Sequence, residues 1–288
     1  MISRAVLLAL SSILFTNING ADCKNTIEQL IASGQKLRAQ QAFVQSVSVL
    51  KEAVDAKPGN WQAHLELAKS LSAAGNDDQA IIELFESLKC NAKNPEARNE
   101  MGAILMRKGD WDEAGGQFKQ AVALNPQDLS SRGNYAVCLE ELVFVNEAIK
   151  EFTAILSSKP DNLNALYDLA VAQQIVNRSD QSVATYLKLL KLSPKNSLAY
   201  AGLGKCYIQK RDYKVAIAAE KEAIRLQPTN QFAFLALGEA YEGAGEKTKS
   251  LEAYRQGIQL NPQDQAAKAV LSKLLNRQVA QNPQKIAR

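Results

Sequence analysis

Six of the eight prolines of this chain lie on a fixed spacing of 34 residues. Five of them form an unbroken series: Pro126, Pro160, Pro194, Pro228 and Pro262. Pro58 belongs to the same series, with Ala92 at the one place where a proline is missing. Seven repeats of this length, from Ile27 to Asp264, follow one another without an insertion. The chain's 288 residues alone suggest about two domains, but a constant period predicts one small structural unit repeated in a continuous array.

Three further positions within the repeat keep one type of residue in all seven copies. Position 8 is small: Gly34, Ala68, Gly102, Ala136, Ala170, Gly204 and Gly238. Position 20 is also small: Ser46, Ala80, Ala114, Ala148, Ser182, Ala216 and Ser250. Position 28 is aliphatic: Val54, Leu88, Val122, Leu156, Leu190, Ile224 and Ile258. Other apolar residues return at helical spacing in two blocks, which predicts two α-helices per repeat whose backbones approach closely at the small residues.

In this pattern the chain resembles the tetratricopeptide repeat. The motif residues are Phe234, Leu237, Gly238 and Tyr241 followed by Pro262, and Ala114 and Phe118 followed by Pro126. The resemblance covers about five-sixths of the chain and implies an all-α fold, a right-handed α-solenoid of stacked helix-turn-helix repeats. The sequence departs from the family pattern at Ile155 and Leu189, which replace a small residue at position 27, and at Glu220, which replaces an aromatic residue at position 24.

The segment before the repeats has the features of a secretory signal peptide. Residues 1–21 place Arg4 before an apolar run, which then gives way to small residues. The run from Ala5 to Phe15 is shorter than the roughly 20 residues that a membrane-spanning helix needs. The alternative is a buried first helix. We therefore expect residues 1–21 to be removed, residues 22–26 to lead into the repeats, and the mature chain to have no membrane span.

An exported protein is the expectation that follows, with the periplasm preferred and the extracellular space or the lumen of the endoplasmic reticulum as alternatives. Cys23 lies just after the expected cleavage region, which raises lipid anchoring as a possibility. A lipoprotein signal has a small residue directly before its cysteine, whereas Asp22 stands there. Lipidation is therefore not favoured.

The segments after the repeats are predicted to close the array. Residues 265–277 continue as one helix whose apolar residues lie on one side: Ala267, Val270, Leu271, Leu274 and Leu275. This is the pattern of a capping helix, which covers the exposed apolar face of the last repeat. Residues 278–288 have no periodicity and are predicted to form a flexible tail.

The charge balance argues against nucleic-acid binding, and the positions of two cysteines argue against a disulfide between them. The 34 basic residues nearly balance the 30 acidic ones, so a nucleic-acid partner is not expected. Cys138 and Cys206 occupy position 10 of repeats that lie two copies apart, which separates them by roughly 20 Å, well beyond the reach of a disulfide. Both are predicted to be buried free thiols. Cys90 and Cys23 pair only if the N-terminal segment folds back.

Residues that could support catalysis are scarce. His64 is the only histidine, and its repeat position indicates packing rather than catalysis. Gly202 and Gly204 fall inside a predicted helix and do not form a phosphate loop. The acidic residues 110–113 are predicted to begin a helix rather than to bind a metal. We therefore predict a protein that is not an enzyme, with no catalytic residue, no cofactor and no metal.

By the resemblance, repeat positions 2, 5, 9, 12 and 13 line a concave groove. The lining is polar in the early repeats and becomes apolar toward the C-terminus. The residues predicted to bind a partner are Tyr167, Val171, Ile175, Leu198, Lys205, Ile208, Phe232 and Leu235. The alternative is that several of them pack between neighbouring repeats or against the capping helix. The lysine and asparagine clamp of chaperone-binding family members is absent, as is the asparagine ladder of sugar transferases.

These observations predict a non-catalytic scaffold in the cell envelope or secretory compartment. Its groove would bind a peptide segment or a helix of another protein. One alternative is an assembly factor, a pilotin-like chaperone that holds a subunit of an envelope complex. A hydrolase or a transferase is the third hypothesis.

Overall fold

In the computed structural model, residues 20–281 are described, with the side chains of residues 26–276. This part of the chain forms fifteen α-helices and contains no strand. The first eight are α1 (Gly20–Ala39), α2 (Phe43–Ala56), α3 (Trp61–Ala73), α4 (Asp77–Cys90), α5 (Pro95–Lys108), α6 (Trp111–Leu124), α7 (Leu129–Glu141) and α8 (Val145–Ser158). The rest are α9 (Leu163–Ile175), α10 (Ser179–Leu192), α11 (Ser197–Gln209), α12 (Tyr213–Leu226), α13 (Gln231–Gly243), α14 (Lys247–Leu260) and α15 (Gln265–Gln281).

Each repeat supplies two helices, and an asparagine or aspartate at repeat position 34 starts the helix that follows, which is the first helix of the next repeat or, after the last repeat, α15. In all seven cases the side-chain oxygen accepts a hydrogen bond from a backbone N–H of the first turn. The capping residues are Asn60, Asn94, Asp128, Asn162, Asn196, Asn230 and Asp264. Such caps satisfy N–H groups that have no partner within the helix.

A left-handed residue at repeat position 15 forms the turn between the two helices. Three copies use glycine, and the other four are Gln41, Val143, Asn177 and Arg211. Asn177 has a φ of 58°, as its place in the turn predicted. Val143 has a φ of 67°, a conformation that a β-branched residue adopts only with strain.

Small residues let the two helices of a repeat pack closely, as predicted. A Cβ added at Gly102 would meet the ring of Phe118 within 3.0 Å, and one added at Gly238 would meet the ring of Tyr254 within 3.0 Å. The serines at position 20 also join the helices, because each donates a hydrogen bond to the carbonyl oxygen of position 8. These pairs are Ser46 with Gly34 at 2.7 Å, Ser182 with Ala170 at 2.7 Å, and Ser250 with Gly238 at 2.9 Å.

The helices fall into two compact units, whose boundary lies between Cys138 and Leu139 within α7. In the first unit, leucines and alanines of α2 to α5 form the core with Ile104 and Phe118. In the second unit, a cluster around Tyr186 and Leu189 joins α9, α10 and α11. Within each unit, helices that follow one another along the chain pack together. The predicted all-α class of stacked helix-turn-helix repeats is confirmed, while one array continuous across the boundary stays a prediction.

Two helices extend beyond the predicted repeats and capping helix. Helix α1 includes residues 22–26, the predicted lead-in. Helix α15 continues past residue 277 to Gln281. The predicted signal peptide lies outside the described residues except for its last two positions, and so does the remainder of the tail.

Helix α15 packs on α14, as expected of a capping helix. Ala267 is buried, whereas Val270 remains 39% exposed, so the cap covers only part of its apolar side. No helix among the described residues is both long enough and apolar enough to cross a membrane.

The departures from the family pattern are accommodated inside the repeats. Ile155 and Leu189 are both buried. Cys138 and Cys206 are buried thiols that form no disulfide, as predicted, while Cys90 is an exposed thiol. The thiol of Cys206 donates a hydrogen bond to Ser182, and burial raises its pKa, which makes it a poor nucleophile. The side chain of Cys23 lies outside the described residues.

Candidate functional site

In the first unit, basic residues at three of the predicted groove positions bind acidic side chains nearby. The guanidinium of Arg38, at position 12 of repeat one, lies 2.7 Å from the carboxylate of Glu66, at position 6 of repeat two. Lys69 adds ion pairs to Glu66 and Glu96. Although burial favours the neutral form of Glu66, the hydrogen bond from Arg38 and the charge of Lys69 hold its pKa below the ordinary value.

Arg107 continues this pairing at position 13 of repeat three. Its Nη2 donates hydrogen bonds to the hydroxyl of Ser72 at 2.6 Å and to the carboxylate of Asp77 at 2.7 Å. The hydrogen bonds and the charge of Arg107 outweigh the modest burial of Asp77, and lower its pKa. The charged groups of Arg38, Lys69 and Arg107 therefore have their ion-pair partners within the chain itself.

The second unit instead exposes large apolar side chains at groove positions. Leu198 and Phe232 occupy position 2 of successive repeats and are 50% and 68% exposed. Ile175, at position 13, is 57% exposed. Lys205 lies at position 9 of α11 and is also exposed. Four of the eight predicted site residues are therefore exposed to solvent.

The other four predicted site residues are half-buried, and three of them take part in packing. The ring of Tyr167 meets the ring of Tyr186 edge-on, with centroids 6.2 Å apart, and Val171 packs on the same core cluster. Leu235 lies beside Gly257 of the second helix in its own repeat. Ile208 is half-buried in α11. Tyr167 and Leu235 thus pack against the second helix of their own repeat. Packing between neighbouring repeats, the predicted alternative, and binding by any of the eight residues both stay predictions.

Two carboxyl groups that the sequence interpretation did not select lie near each other in the second unit. Glu140 occupies position 12 of repeat four, and Asp168 occupies position 6 of repeat five. The Oε1 atom of Glu140 is buried and has no hydrogen-bond partner. Burial and the charge of Asp168 raise the pKa of Glu140 to about 7, and burial raises the pKa of Asp168.

A third carboxyl group lies in the core of the second unit. Glu220 is fully buried at position 24, and neither of its side-chain oxygens has a hydrogen-bond partner. Burial, with a smaller effect of Glu239, raises its pKa to about 9 despite the opposing charge of Lys205. The side chain is therefore neutral at physiological pH. The sequence marked Glu220 only as a departure from the aromatic pattern.

The single histidine has a packing role, as predicted. His64 is 5% exposed. Its Nδ1 lies 2.6 Å from the carboxylate of Glu83, and its Nε2 lies 2.8 Å from the carbonyl oxygen of Pro58. Gly202 and Gly204 lie within α11, where Cβ atoms would overlap Tyr186 and Glu220, so they are helix contacts. Within residues 26–276, no group of three or more histidine, cysteine or acidic side chains is arranged to hold a metal ion.

Comparison with protein families identifies the repeat. Models of the tetratricopeptide repeat match residues 37–104, 95–128, 176–231 and 233–264. Together these matches cover more than half of the chain. No curated protein matches the sequence.

Solved structures of tetratricopeptide-repeat (TPR) proteins resemble the fold. The C-terminal part of a TPR protein from Cytophaga hutchinsonii is 17% identical, covers 83% of this chain and 98% of that one, and has a TM-score of 0.66. A TPR protein from Parabacteroides merdae is 16% identical, with coverages of 87% and 99% and a TM-score of 0.62. YrrB, described as a TPR protein with an unusual peptide-binding site, is 16% identical, with coverages of 64% and 95% and a TM-score of 0.60.

At these identities the structural likeness shows the fold alone, whereas the family matches rest on the sequence itself. They coincide with the 34-residue period and with the two helices of each repeat. This chain belongs to the tetratricopeptide-repeat proteins.

Proposed function

We propose that this protein is a non-catalytic interaction scaffold whose second unit binds an extended or helical segment of another protein. The observation that carries the proposal is the exposure of Leu198 and Phe232 at the same position of successive repeats. Apolar side chains that recur along adjacent helices form a continuous surface, and such surfaces on soluble proteins typically bind partners. The peptide-binding site described for YrrB lends further support.

The contrast between the two units supports the same location. Arg38, Lys69 and Arg107 are engaged in ion pairs in the first unit, so a partner that bound there would have to displace them. In the second unit, Leu198 and Phe232 lose no internal contact when a partner covers them. Burial of apolar area there contributes roughly 25 cal/mol per Å² to binding.

We further propose that the protein works outside the cytoplasm, with the periplasm preferred. The support is the basic start, the short apolar run and the small residues of the first 21 positions. A scaffold in this compartment binds a cell-envelope or secreted protein.

Selection from a library of displayed random peptides tests the binding proposal. Peptides selected by the purified chain are expected to bind the double variant Leu198→Ser/Phe232→Ser at least about tenfold more weakly. The matched control is Val44→Ser/Phe85→Ser, which changes two side chains of the first unit that are 79% and 60% exposed. Circular dichroism verifies that both variants retain their helices.

Three outcomes are decisive. Loss of binding in the Leu198→Ser/Phe232→Ser variant alone supports the groove. Equal binding to both variants, or failure to select any peptide, overturns it. The assembly-factor alternative makes a different prediction, because its natural partner is released once the envelope complex has assembled, whereas a scaffold remains in a stoichiometric complex.

A further inference from the structure

We propose that α12 is a pH-operated hinge of the second unit: it separates locally from α11 and α13, and this opening releases the proton of Glu220. The hinge bears on the proposed groove, because α12 packs both on α11, which carries Leu198, and on α13, which carries Phe232. The effect on binding rests on the proposed function, whereas the opening itself does not.

Glu220 takes the place that an apolar side chain occupies in every other repeat. Position 24 of the second helix packs on the small residue at position 8 of the first helix, and a Cβ added at Gly34 would overlap Leu50. At Gly204 the side chain that an added Cβ would overlap is the carboxyl group of Glu220. The apolar residues at position 24 of the other repeats are all buried: Leu50, Leu84, Phe118, Phe152, Tyr186 and Tyr254.

The remaining buried contacts of α12 are small. Its other buried residues are Ala216, Ala219 and Ala223. The larger side chains of Ile217 and Ile224 are only partly buried. Each of the other six second helices buries the leucine, phenylalanine or tyrosine of position 24. Because little apolar area holds α12 in place, this helix should open at a lower cost than its neighbours.

Opening also solvates a carboxyl group that the closed repeat leaves without a partner. Glu220 is fully buried, and neither of its side-chain oxygens has a hydrogen-bond partner. Among the described residues, the charged side chains that act on it are Lys205 of α11 and Glu239 of α13, whose effects oppose each other. Burial raises the pKa of Glu220 to about 9, whereas a glutamate in water ionises near pH 4.5. Opening between these two pH values therefore releases one proton.

The release of one proton sets the pH dependence of the hinge. The equilibrium constant for opening should rise about tenfold with each pH unit between roughly 5.5 and 8. Acid therefore keeps α12 on its neighbours, and a rising pH loosens it.

Hydrogen exchange of the purified chain, followed helix by helix between pH 5.5 and 7.5, tests the hinge. Conditions in which closing is faster than exchange are used, and rates are corrected for the pH dependence of intrinsic amide exchange. Protection of the α12 amides should fall about tenfold per pH unit in the wild-type chain and stay constant in Glu220→Gln. This difference between the two proteins should be confined to α12.

Two results would overturn the hinge. Equal pH dependence of α12 in the wild-type chain and in Glu220→Gln would show that Glu220 releases no proton on opening. A difference shared by every helix of the second unit would show that Glu220 titrates only when the whole unit unfolds.

Two further variants serve as controls. Glu239→Gln removes the exposed acid of α13 and should keep the pH dependence of α12, so its loss in this variant would assign the proton to Glu239 and overturn the hinge. Glu220→Leu places on Gly204 the side chain that Leu50 places on Gly34. At pH 7.5 it should raise the protection of α12 at least about tenfold, and unchanged protection would contradict the account.

A peptide selected as described above connects the hinge to the groove. At a concentration of about 100 times its Kd, a peptide that bridges α11 and α13 should raise the protection of α12 at least about tenfold. Unchanged protection in the presence of a bound peptide would overturn the connection to the groove and leave the hinge in place. Peptides that need Leu198 and Phe232, together with a pH-independent α12, would overturn the hinge and leave the groove intact.

Discussion

The carboxyl group of Glu220 packs against the backbone of Gly204, in the place where the ring of Tyr254 packs against Gly238 in the next repeat. A neutral carboxyl group there fills part of the space of an aromatic ring but makes no hydrogen bond. The fold therefore holds a buried acid whose protonation state is coupled to stability.

Glu220 should make the free energy of unfolding fall as the pH rises. Its carboxyl ionises near pH 4.5 in the unfolded chain and near 9 in the folded protein. The raised folded pKa stabilises the fold fully below about pH 4.5, and this contribution is lost progressively as the pH rises toward 9. Glu220→Gln cannot ionise, so relative to wild type it should gain roughly 4 kcal/mol in free energy of unfolding between pH 4.5 and 8.

Urea denaturation of both proteins, followed by circular dichroism, measures this difference. Because every other titrating group is common to the two proteins, their effects cancel. If the free energies of unfolding of the two proteins change in parallel with pH, Glu220 is ionised or solvated in the folded state, which would contradict the prediction.

Leucine at two glycine positions should have opposite effects. A side chain at Gly102 collides with the ring of Phe118, so Gly102→Leu should lower the free energy of unfolding by about 2 kcal/mol or more. Gly116 lies on the exposed side of α6 with nothing within 4 Å of an added Cβ. Gly116→Leu should therefore raise stability by about 0.8 kcal/mol through helix propensity. Equal tolerance of both changes would contradict the close packing of α5 on α6.

The turn of repeat four should gain stability when its strained valine is replaced. Val143 is 81% exposed and left-handed, which costs roughly 1–2 kcal/mol for a residue other than glycine. Val143→Gly should raise the thermal midpoint. The same change at Val215, within α12, should lower it, because glycine costs about 1 kcal/mol inside a helix. A lower midpoint for Val143→Gly would show that contacts of the valine outweigh its strain.

The N-terminal segment should be removed on export. When the full chain is produced in a Gram-negative host, intact-mass measurement of the periplasmic protein should find a chain that starts after Gly20 or Ala21. Replacement of Leu7 and Leu8 by arginine should leave the protein unprocessed in the cytoplasm. A periplasmic chain that keeps Met1 would contradict a cleaved signal.

The repeat frame was predictable because it depends on residue size and spacing. Close approach at Gly102 and Gly238 and the left-handed turn at Asn177 follow from which residues fit those places. The asparagines and aspartates of position 34 were equally visible and were missed. Their series, which includes Asn60 and Asp264, is as regular as that of the prolines.

The candidate site was less predictable, because the exposure of a residue at a groove position depends on how the neighbouring side chains pack around it. Leu198 and Leu235 have the same chemistry, yet Leu198 is exposed while Leu235 packs beside Gly257. The proximity of Glu140 to Asp168 arises between residues 28 positions apart, in different repeats. Only the three-dimensional arrangement brings them together.

Photo-crosslinking at one groove position tests the central claim most directly. Benzoylphenylalanine placed at Phe232 in the second unit should form a crosslink to a partner protein in the native host. The same group at Phe85, which is similarly exposed in the first unit, should not. A crosslink that forms at Phe232 and disappears with Leu198→Ser is the result we predict. Crosslinks from Phe85 but none from Phe232 would contradict a binding groove in the second unit.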